Sequence, residues 1–377
     1  MISIKRVIKK IHLWLGLLSG IVIFIVCTTA CLWVFNEEIE KMILPDMTVQ
    51  SSGNQLPPSR LKALSEGYYP GMEALNVQYV MGEAARISLS KDKEHKQIFV
   101  NPYTGALIYA KDSSFDFFKF VITGHRTLWL PREVGRLVVN YSVLIFVITL
   151  LSGLVLWWPK TKKTFQNGTR FKWKKTTGGT KRIFDLHNIL GFYSCIVLLA
   201  IGMTGMVWGL DWWSKGTYWL TTGGKHLPEW NVAQSDTLRA DTKVTPDIAV
   251  DYAFNKLLRE YPEAEGFQFG YAKQNDATSS VYAAVYRCFG RYYNRDVFSF
   301  DRYTLRGISQ KGPYVGKYAD ADFGDKLRRM NYDIHVGAIL GLPGKVIAFF
   351  ASLIGATLPI TGFLLWWKRI RRKKKRD

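Results

Sequence analysis

The sequence predicts a membrane protein whose core is an all-α four-helix transmembrane bundle, built as a tandem 2+2 repeat, with two α+β modules outside the membrane. Three observations lead there: four uncharged apolar windows, basic residues concentrated on one side of them, and motifs that recur in both halves of the 377-residue chain. Because 48% of the residues are apolar, the chain is neither disordered nor a disulfide-stapled mini-domain.

Four windows without Asp, Glu, Lys or Arg are interpreted as spans, since a helix that crosses the hydrocarbon core needs roughly 20 apolar residues. They are residues 11–36, 137–159, 186–210 and 346–367. Basic residues precede the first window, as in a signal peptide. Its apolar run is too long for an h-region, however, and no A-x-A site follows, so it is interpreted as an uncleaved anchor.

The positive charge determines the expected orientation. Residues 1–10, 160–184 and 368–377 together hold 21 Lys and Arg and one acid, whereas the rest of the chain holds 30 basic and 29 acidic residues. The positive-inside rule therefore makes these three segments the cytoplasmic N-terminus, loop and tail. Residues 37–136 and 211–345 are expected to face the periplasm. Nucleic-acid binding is excluded, because the basic runs flank membrane helices.

The two halves repeat each other. The matched positions are His12 and His187, Thr29-Ala30 and Thr204-Gly205, Trp33 and Trp208, Ser152-Gly153 and Thr361-Gly362, and Trp157 and Trp366. A histidine also lies upstream of each second span: His125 is 32 residues before Trp157, and His335 is 31 before Trp366. The predicted unit is span, outer module, span, used twice in one orientation.

Each outer loop has a helical pattern, residues 58–66 and 246–261, followed by an alternating strand that enters a turn. The turns are Asn101–Gly105 and Asp301–Leu305. Each loop is therefore predicted to form a small α+β module.

These motifs resemble the PepSY-associated transmembrane family over almost the whole chain. The resemblance is carried by H-x-W-x-G-L-x-S-G at His12–Gly20, D-L-H-N-x-x-G at Asp185–Gly191, N-P-Y-T-G at Asn101–Gly105 and the Trp-Trp-Lys span ends. In the second turn, Arg302 replaces the proline and Leu305 the glycine. The resemblance implies PepSY-like modules and a bacterial inner membrane, and the family includes ferric-siderophore reductases that hold haem.

Four histidines occupy repeat-equivalent positions: His12 and His187 at the cytoplasmic ends of spans 1 and 3, and His125 and His335 before spans 2 and 4. Two layers of two imidazoles suggest two bis-histidine haems, whose iron would be held by these four residues. Without a CxxCH motif the haem would be b-type. Five glycines are expected to give helices or a porphyrin room: Gly16, Gly20, Gly191, Gly153 and Gly362. The alternatives are that the histidines are polar anchors and the glycines serve helix packing.

If His335 and Trp367 shared one helix, its 33 residues would measure about 50 Å. His335 is therefore expected at or beyond the outer surface, or on a separate short helix. His95 and His226 have no repeat partner, and roles for His226 and Cys288 are left open.

The hypothesis is an inner-membrane di-haem b reductase that passes electrons to a periplasmic ferric siderophore or other iron chelate. The cytoplasmic segments are too short for a flavin or NAD domain, so a quinol or a separate donor is expected to supply electrons. The alternative is a non-catalytic membrane protein that binds or restrains another protein. A transporter is disfavoured, because the spans carry no Asp, Glu, Lys or Arg.

Overall fold

The computed structural model describes residues 4–92, 94–112, 116–240 and 243–374. Its α-helices are α1 (Ile4–Trp33), α2 (Asn36–Ile43), α3 (Pro58–Tyr68), α4 (Phe117–Thr127), α5 (Arg132–Trp157), α6 (Lys162–Thr169), α7 (Gly179–Asp185), α8 (Gly191–Gly209), α9 (Asp211–Thr221), α10 (Pro246–Glu260), α11 (Phe323–His335) and α12 (Leu342–Lys374). A π-helical turn, Leu186–Leu190, joins α7 to α8, and short 3₁₀ turns cover Thr237–Arg239 and Ala338–Leu340. The strands are β1 (Glu73–Val80), β2 (Ala85–Lys91), β3 (Glu94–Val100), β4 (Leu107–Asp112), β5 (Gly266–Gly270), β6 (Val281–Tyr286) and β7 (Asp296–Phe300).

The chain divides into two compact units. The membrane unit comprises residues 1–36, 117–217 and 333–377, and the sheet unit comprises residues 37–116 and 218–332. The chain therefore passes between the units four times, and each unit is built from both halves of the sequence.

Within the described residues, four helical segments are long and apolar enough to cross a membrane, as the sequence predicts. They are α1, α5, the continuous segment Gly179–Gly209 that contains α7 and α8, and α12 as far as Arg371. Each begins before its predicted apolar window. The added residues include flanking Lys and Arg, whose long side chains are compatible with helix at a membrane interface.

The four spans pack in a ring in which α1 contacts α5 and α12, and α8 contacts the same two helices. An apolar core fills the middle of this ring, formed by Ile23, Cys27, Phe146, Leu150, Cys195, Leu198, Ala351, Ala356 and Leu358. Three predicted glycines serve close helix packing there. A Cβ added at Gly20 would lie 3.3 Å from Pro359, one at Gly191 3.5 Å from Leu358, and one at Gly16 3.7 Å from Thr149.

Two short helices, α4 and α11, belong wholly or in part to the membrane unit and carry His125 and His335. Left-handed residues separate each from the following span. Leu128 and Trp129 have φ of 54° and 58° after α4, and Gly337 and Gly341 have φ of 81° and 66° after α11. His335 is thus on a separate short helix, the second of the two placements that its distance from Trp367 allowed.

The strands of both loops form one antiparallel sheet in the order β4-β3-β2-β1-β5-β6-β7. The sequence predicted α+β structure in each loop as two modules, but β1 and β5 pair at the centre, for instance Val77 opposite Phe269. Helices α3 and α10 pack against each other and against the sheet. The two modules therefore share one core, because pairing β1 with β5 covers an edge that either module would expose alone.

The two halves of the sheet unit are also linked at the start of α3. The Asp251 carboxylate accepts hydrogen bonds from the Ser59 amide at 2.9 Å and the Ser59 hydroxyl at 2.5 Å. Burial raises the pKa of Asp251, while the bonds from Ser59 oppose that shift.

The turns after β3 and β7 have the same geometry despite their different sequences. Asn101 Oδ1 accepts the amides of the second and third following residues, and so does Asp301 Oδ1. The fifth residue is left-handed in both, with φ of 77° at Gly105 and 62° at Leu305. The second turn thus has the same shape although its fifth residue is a leucine. Glycine adopts the left-handed conformation at this position with less strain than any other residue.

Candidate functional site: two pairs of facing histidines

The structure brings the four repeat-related histidines together as two pairs. The ring centres of His12 and His187 are 6.3 Å apart, with the ring planes at 88°. Those of His125 and His335 are 6.2 Å apart, with the planes at 69°. The inner pair and the outer pair, as they are called below, therefore have nearly the same separation although they come from different helices.

In the inner pair, both imidazoles are held by the second span of their own half. His12 Nδ1 lies 3.1 Å from the Thr149 carbonyl oxygen and 3.0 Å from Ser152 Oγ on α5. His187 Nδ1 lies 2.9 Å from Thr361 Oγ1 on α12.

In the outer pair, both imidazoles are held by the first span of their own half. His125 Nδ1 lies 3.0 Å from the Val26 carbonyl oxygen and 3.2 Å from Thr29 Oγ1 on α1. His335 Nδ1 lies 3.0 Å from the Ile201 carbonyl oxygen and 3.1 Å from Thr204 Oγ1 on α8.

These contacts fix the tautomer of the outer rings and of His12. A backbone carbonyl can only accept a hydrogen bond, so Nδ1 must carry the proton and donate it. The neutral ring then keeps its lone pair on Nε2. This is the arrangement of metal-binding histidines, which donate the other ring N–H to a carbonyl or a carboxylate.

The hydroxyl partners support the same tautomer. Thr29, Thr204 and Thr361 each donate their hydroxyl proton to backbone carbonyls one turn back in their own helix. Ser152 does the same toward Thr149. Since each hydroxyl has only one proton, its oxygen acts as an acceptor toward the imidazole. The Nδ1 of His187 is therefore also assigned as a donor.

A small residue follows each of these hydroxyl residues and leaves space for the ring. A Cβ added at Gly153 would lie 3.1 Å from His12 Cε1, one at Gly205 3.2 Å from His335 Cε1, and one at Gly362 3.3 Å from His187 Cε1. Ala30 occupies the fourth position. Gly153 and Gly362 thus accommodate histidines, whereas Gly16, Gly20 and Gly191 face other helices.

Five residues that shape the site were not predicted: Thr29, Ser152, Thr204, Thr361 and Gly205. The signal was present, because each hydroxyl residue stands directly before Gly or Ala in the matched positions of the two halves. Which histidine each one contacts depends on helix packing and is not visible in the sequence.

The two pairs lie at different levels of the bundle. Val26 is 14 residues after His12 in α1, which corresponds to roughly 20 Å along the helix axis. Ile201 follows His187 by the same number of residues. The apolar core of the ring contains residues of α1 and α8 between these positions, such as Ile23 and Leu198.

The surroundings of the inner pair differ between the two halves. His187 belongs to the π-helical turn, whereas His12 belongs to the regular helix α1. Directly before the turn, the buried carboxylate of Asp185 accepts a hydrogen bond from Trp173 Nε1 at 3.0 Å and pairs with Lys181. These contacts hold the segment in front of His187, and π turns are frequent at functional sites.

The outer pair has an aromatic neighbour. The rings of Trp208 and His335 are 5.3 Å apart and perpendicular. Trp208 also accepts a hydrogen bond at its backbone carbonyl from Arg136 at 2.8 Å. Arg136 therefore contacts the span end beside the pair.

The two residues whose roles the sequence left open, His226 and Cys288, lie outside the histidine pairs. His226 is exposed, and Cys288 is a half-buried free thiol in the sheet unit. Among the residues that the structure describes, no three or more His, Cys, Asp and Glu side chains converge on a metal-sized site. Each histidine pair therefore offers two protein nitrogens to a metal.

Four membrane-crossing helices, two levels of paired histidines and a separate antiparallel sheet define the class of this protein. The profile of the PepSY-associated TM region matches residues 9–369. The chain belongs to the PepSY-associated transmembrane family, and the resemblance seen in its motifs is confirmed. A search of the curated proteins finds no match.

Proposed function

We propose that this protein is a di-haem b reductase of the bacterial inner membrane, which passes electrons across the membrane to a periplasmic ferric chelate such as a ferric siderophore. The observation that carries the proposal is the presence of two histidine pairs, His12 with His187 and His125 with His335. Four imidazoles, each with its Nδ1 beside a serine or threonine hydroxyl and arranged as two pairs, are hard to explain as polar anchors.

The ring separation supports a metal between the two imidazoles of each pair. Two imidazoles that bind one metal ion from opposite sides, with metal–nitrogen distances of about 2.0 Å, have ring centres roughly 6.3 Å apart. The observed separations are 6.3 and 6.2 Å. With two neutral nitrogens per site, His12 and His187 would hold one haem, and His125 and His335 would hold another.

When bound, haem b would supply reversible one-electron exchange. The chain's own part is to hold His12, His187, His125 and His335 as neutral imidazoles with Nε2 available. Thr29, Ser152, Thr204 and Thr361 hold the ring orientation from the opposite side. Gly153, Gly205 and Gly362 keep space for the rings at those contacts.

The remaining parts of the proposal follow from topology and chemistry. The basic segments 1–10, 160–184 and 368–377 are assigned to the cytoplasm by the positive-inside rule. The inner pair then lies toward the cytoplasm, where a quinol or another donor supplies electrons. Reduction releases the metal because ferrous iron binds hard oxygen chelators more weakly than ferric iron does.

The test is a reduced-minus-oxidised absorption spectrum of the purified full-length protein, with haem and protein quantified. We expect a b-type signal and two haems per chain. Since the imidazole planes cross at large angles, the oxidised protein is expected to give strongly anisotropic low-spin EPR signals. A colourless, haem-free protein would overturn the proposal and favour the non-catalytic protein-binding alternative.

A second experiment addresses the substrate. Anaerobic, dithionite-reduced protein is mixed with candidate ferric chelates, and haem reoxidation and ferrous iron are both followed. We expect the two signals to match in stoichiometry. If the haem stays reduced with every chelate tested, the protein does not reduce these chelates. The proposed substrate would then be wrong, although haem binding would stand.

A further inference from the structure

The sheet unit contains a cavity of about 290 Å³ that the histidine pairs do not explain. Three tyrosines and two arginines line it: Tyr292, Arg295, Tyr314, Arg329 and Tyr332. The lining thus combines flat aromatic walls with two positive charges.

The Arg329 side chain is 6% exposed and fixes one wall of the cavity. Its guanidinium donates hydrogen bonds to the backbone carbonyls of Pro313 and Val315, and to that of Arg295 at 3.1 Å. Burial lowers the pKa of Arg329, which reflects a cation held away from water. Because its partners are neutral carbonyls, its charge is not neutralised by them.

Arg295 supplies the second charge. Its Nη1 donates a long hydrogen bond of 3.4 Å to the Tyr286 hydroxyl, and its guanidinium lies 5.9 Å from the ring centre of Tyr292. Within the described part of the chain, neither Arg295 nor Arg329 forms a salt bridge. Two half-buried or buried cations beside one cavity are unfavourable without a counter-charge.

The carboxylates that act on Arg329 at longer range are already bound elsewhere. Asp296 pairs with Arg287 at 3.2 Å and accepts the Tyr318 amide at 2.7 Å. Asp325 accepts a hydrogen bond from the Tyr218 hydroxyl at 2.7 Å. At this longer range both carboxylates favour the charged form of Arg329.

The aromatic side chains define the shape of a fitting ligand. Tyr292 and Tyr332 meet nearly at right angles, at 86° with ring centres 5.4 Å apart. Tyr292 donates its hydroxyl proton to Glu37 at 2.9 Å, so this tyrosine presents mainly its ring to the cavity. Flat molecules stack on or pack edge-on against such walls.

We propose that this cavity binds a small organic anion with a flat ring, such as an aromatic carboxylate, whose negative oxygens pair with Arg295 beside Arg329. The volume of about 290 Å³ lies just below the range of roughly 300–1,000 Å³ for small-molecule sites, which suits a small ligand. The proposal concerns binding only and does not depend on haem.

The experiment is isothermal titration of the full-length protein in detergent with salicylate and with salicylamide, its neutral analogue. We expect salicylate to bind at least tenfold more tightly than salicylamide, and the difference to shrink at high salt. Equal affinity for the two probes, or no binding of salicylate at millimolar concentration, would overturn the proposal.

Variants locate the site. Arg295→Gln is expected to weaken salicylate binding at least tenfold while leaving salicylamide binding unchanged, and Tyr314→Leu to weaken both probes. Arg60→Gln removes an exposed arginine on α3 of the same unit and is the matched control. An unchanged thermal unfolding temperature shows that each variant is folded. Wild-type salicylate affinity in a folded Arg295→Gln variant would refute the site.

Discussion

His12 and His187 face each other with ring centres 6.3 Å apart although 175 residues separate them in the chain. That separation is also the offset at which the first spans of the two halves repeat. Two histidines at matched positions of the two halves thus lie face to face, and the second pair, His125 and His335, has nearly the same separation, at 6.2 Å.

Removing one histidine from each pair separates the two sites. His335→Ala is expected to lower the haem content from two to one per chain while the inner site remains filled, and His187→Ala to do the reverse. Haem quantification with EPR checks this, since each pair contributes its own signal. His226→Ala, which removes an exposed histidine, should keep two haems. Full occupancy in both pair variants would rule out ligation by these pairs.

The hydroxyl partners are expected to tune the sites without being ligands. Thr204→Val keeps the side-chain shape but removes one of the two acceptors of His335 Nδ1–H and leaves only the Ile201 carbonyl. Outer-site haem affinity should therefore fall, by about 10-fold. A shifted midpoint potential of the outer haem should accompany the loss. Haem retention during dilution and a redox titration measure both.

Thr28→Val is the matched control for a change of this kind. Thr28 makes the same type of bond to its own helix, to the Phe24 carbonyl at 2.7 Å, but its side chain is exposed. If the Thr204 hydroxyl only stabilises its own helix, Thr28→Val and Thr204→Val will have the same haem retention and the same midpoint potential. That result would contradict the prediction.

The small residues beside the rings should tolerate alanine better than valine. Alanine already stands at the matched position of the first half, as Ala30, so Gly205→Ala is expected to keep most haem. Gly205→Val adds atoms where a Cβ alone would be 3.2 Å from His335 Cε1 and should abolish outer-site binding. Gly216→Val in α9, where a Cβ meets nothing within 4 Å, should retain two haems. Two haems in Gly205→Val would contradict the described ring position.

The two equivalent turns of the sheet unit should respond differently to exchange of their fifth residues. Gly105→Leu forces a left-handed leucine, at about 1–2 kcal/mol, and its Cβ would lie 2.3 Å from Leu64 Cδ1. Leu305→Gly relieves similar backbone strain but loses packing against the core, so its change should stay within about 1 kcal/mol. Thermal unfolding followed by circular dichroism measures the stability of both variants. Equal losses of stability in the two variants would contradict this prediction.

The sequence by itself determined the four spans, because charge-free runs of bilayer length leave few other outcomes. It also identified the four histidines, since their matched positions relative to the span motifs of the two halves separate them from unmatched histidines such as His95. The family followed from the same motifs, in their order along the chain.

Tertiary structure alone decided the rest. That His12 meets His187, and that Ser152 and Thr361 hold them, depends on which faces of four similar apolar helices meet, and apolar composition does not encode that choice. The union of two modules into one sheet depends on pairing between strands nearly 200 residues apart. The cavity of the sheet unit brings together side chains from three separated stretches, so only the folded chain places its two arginines side by side.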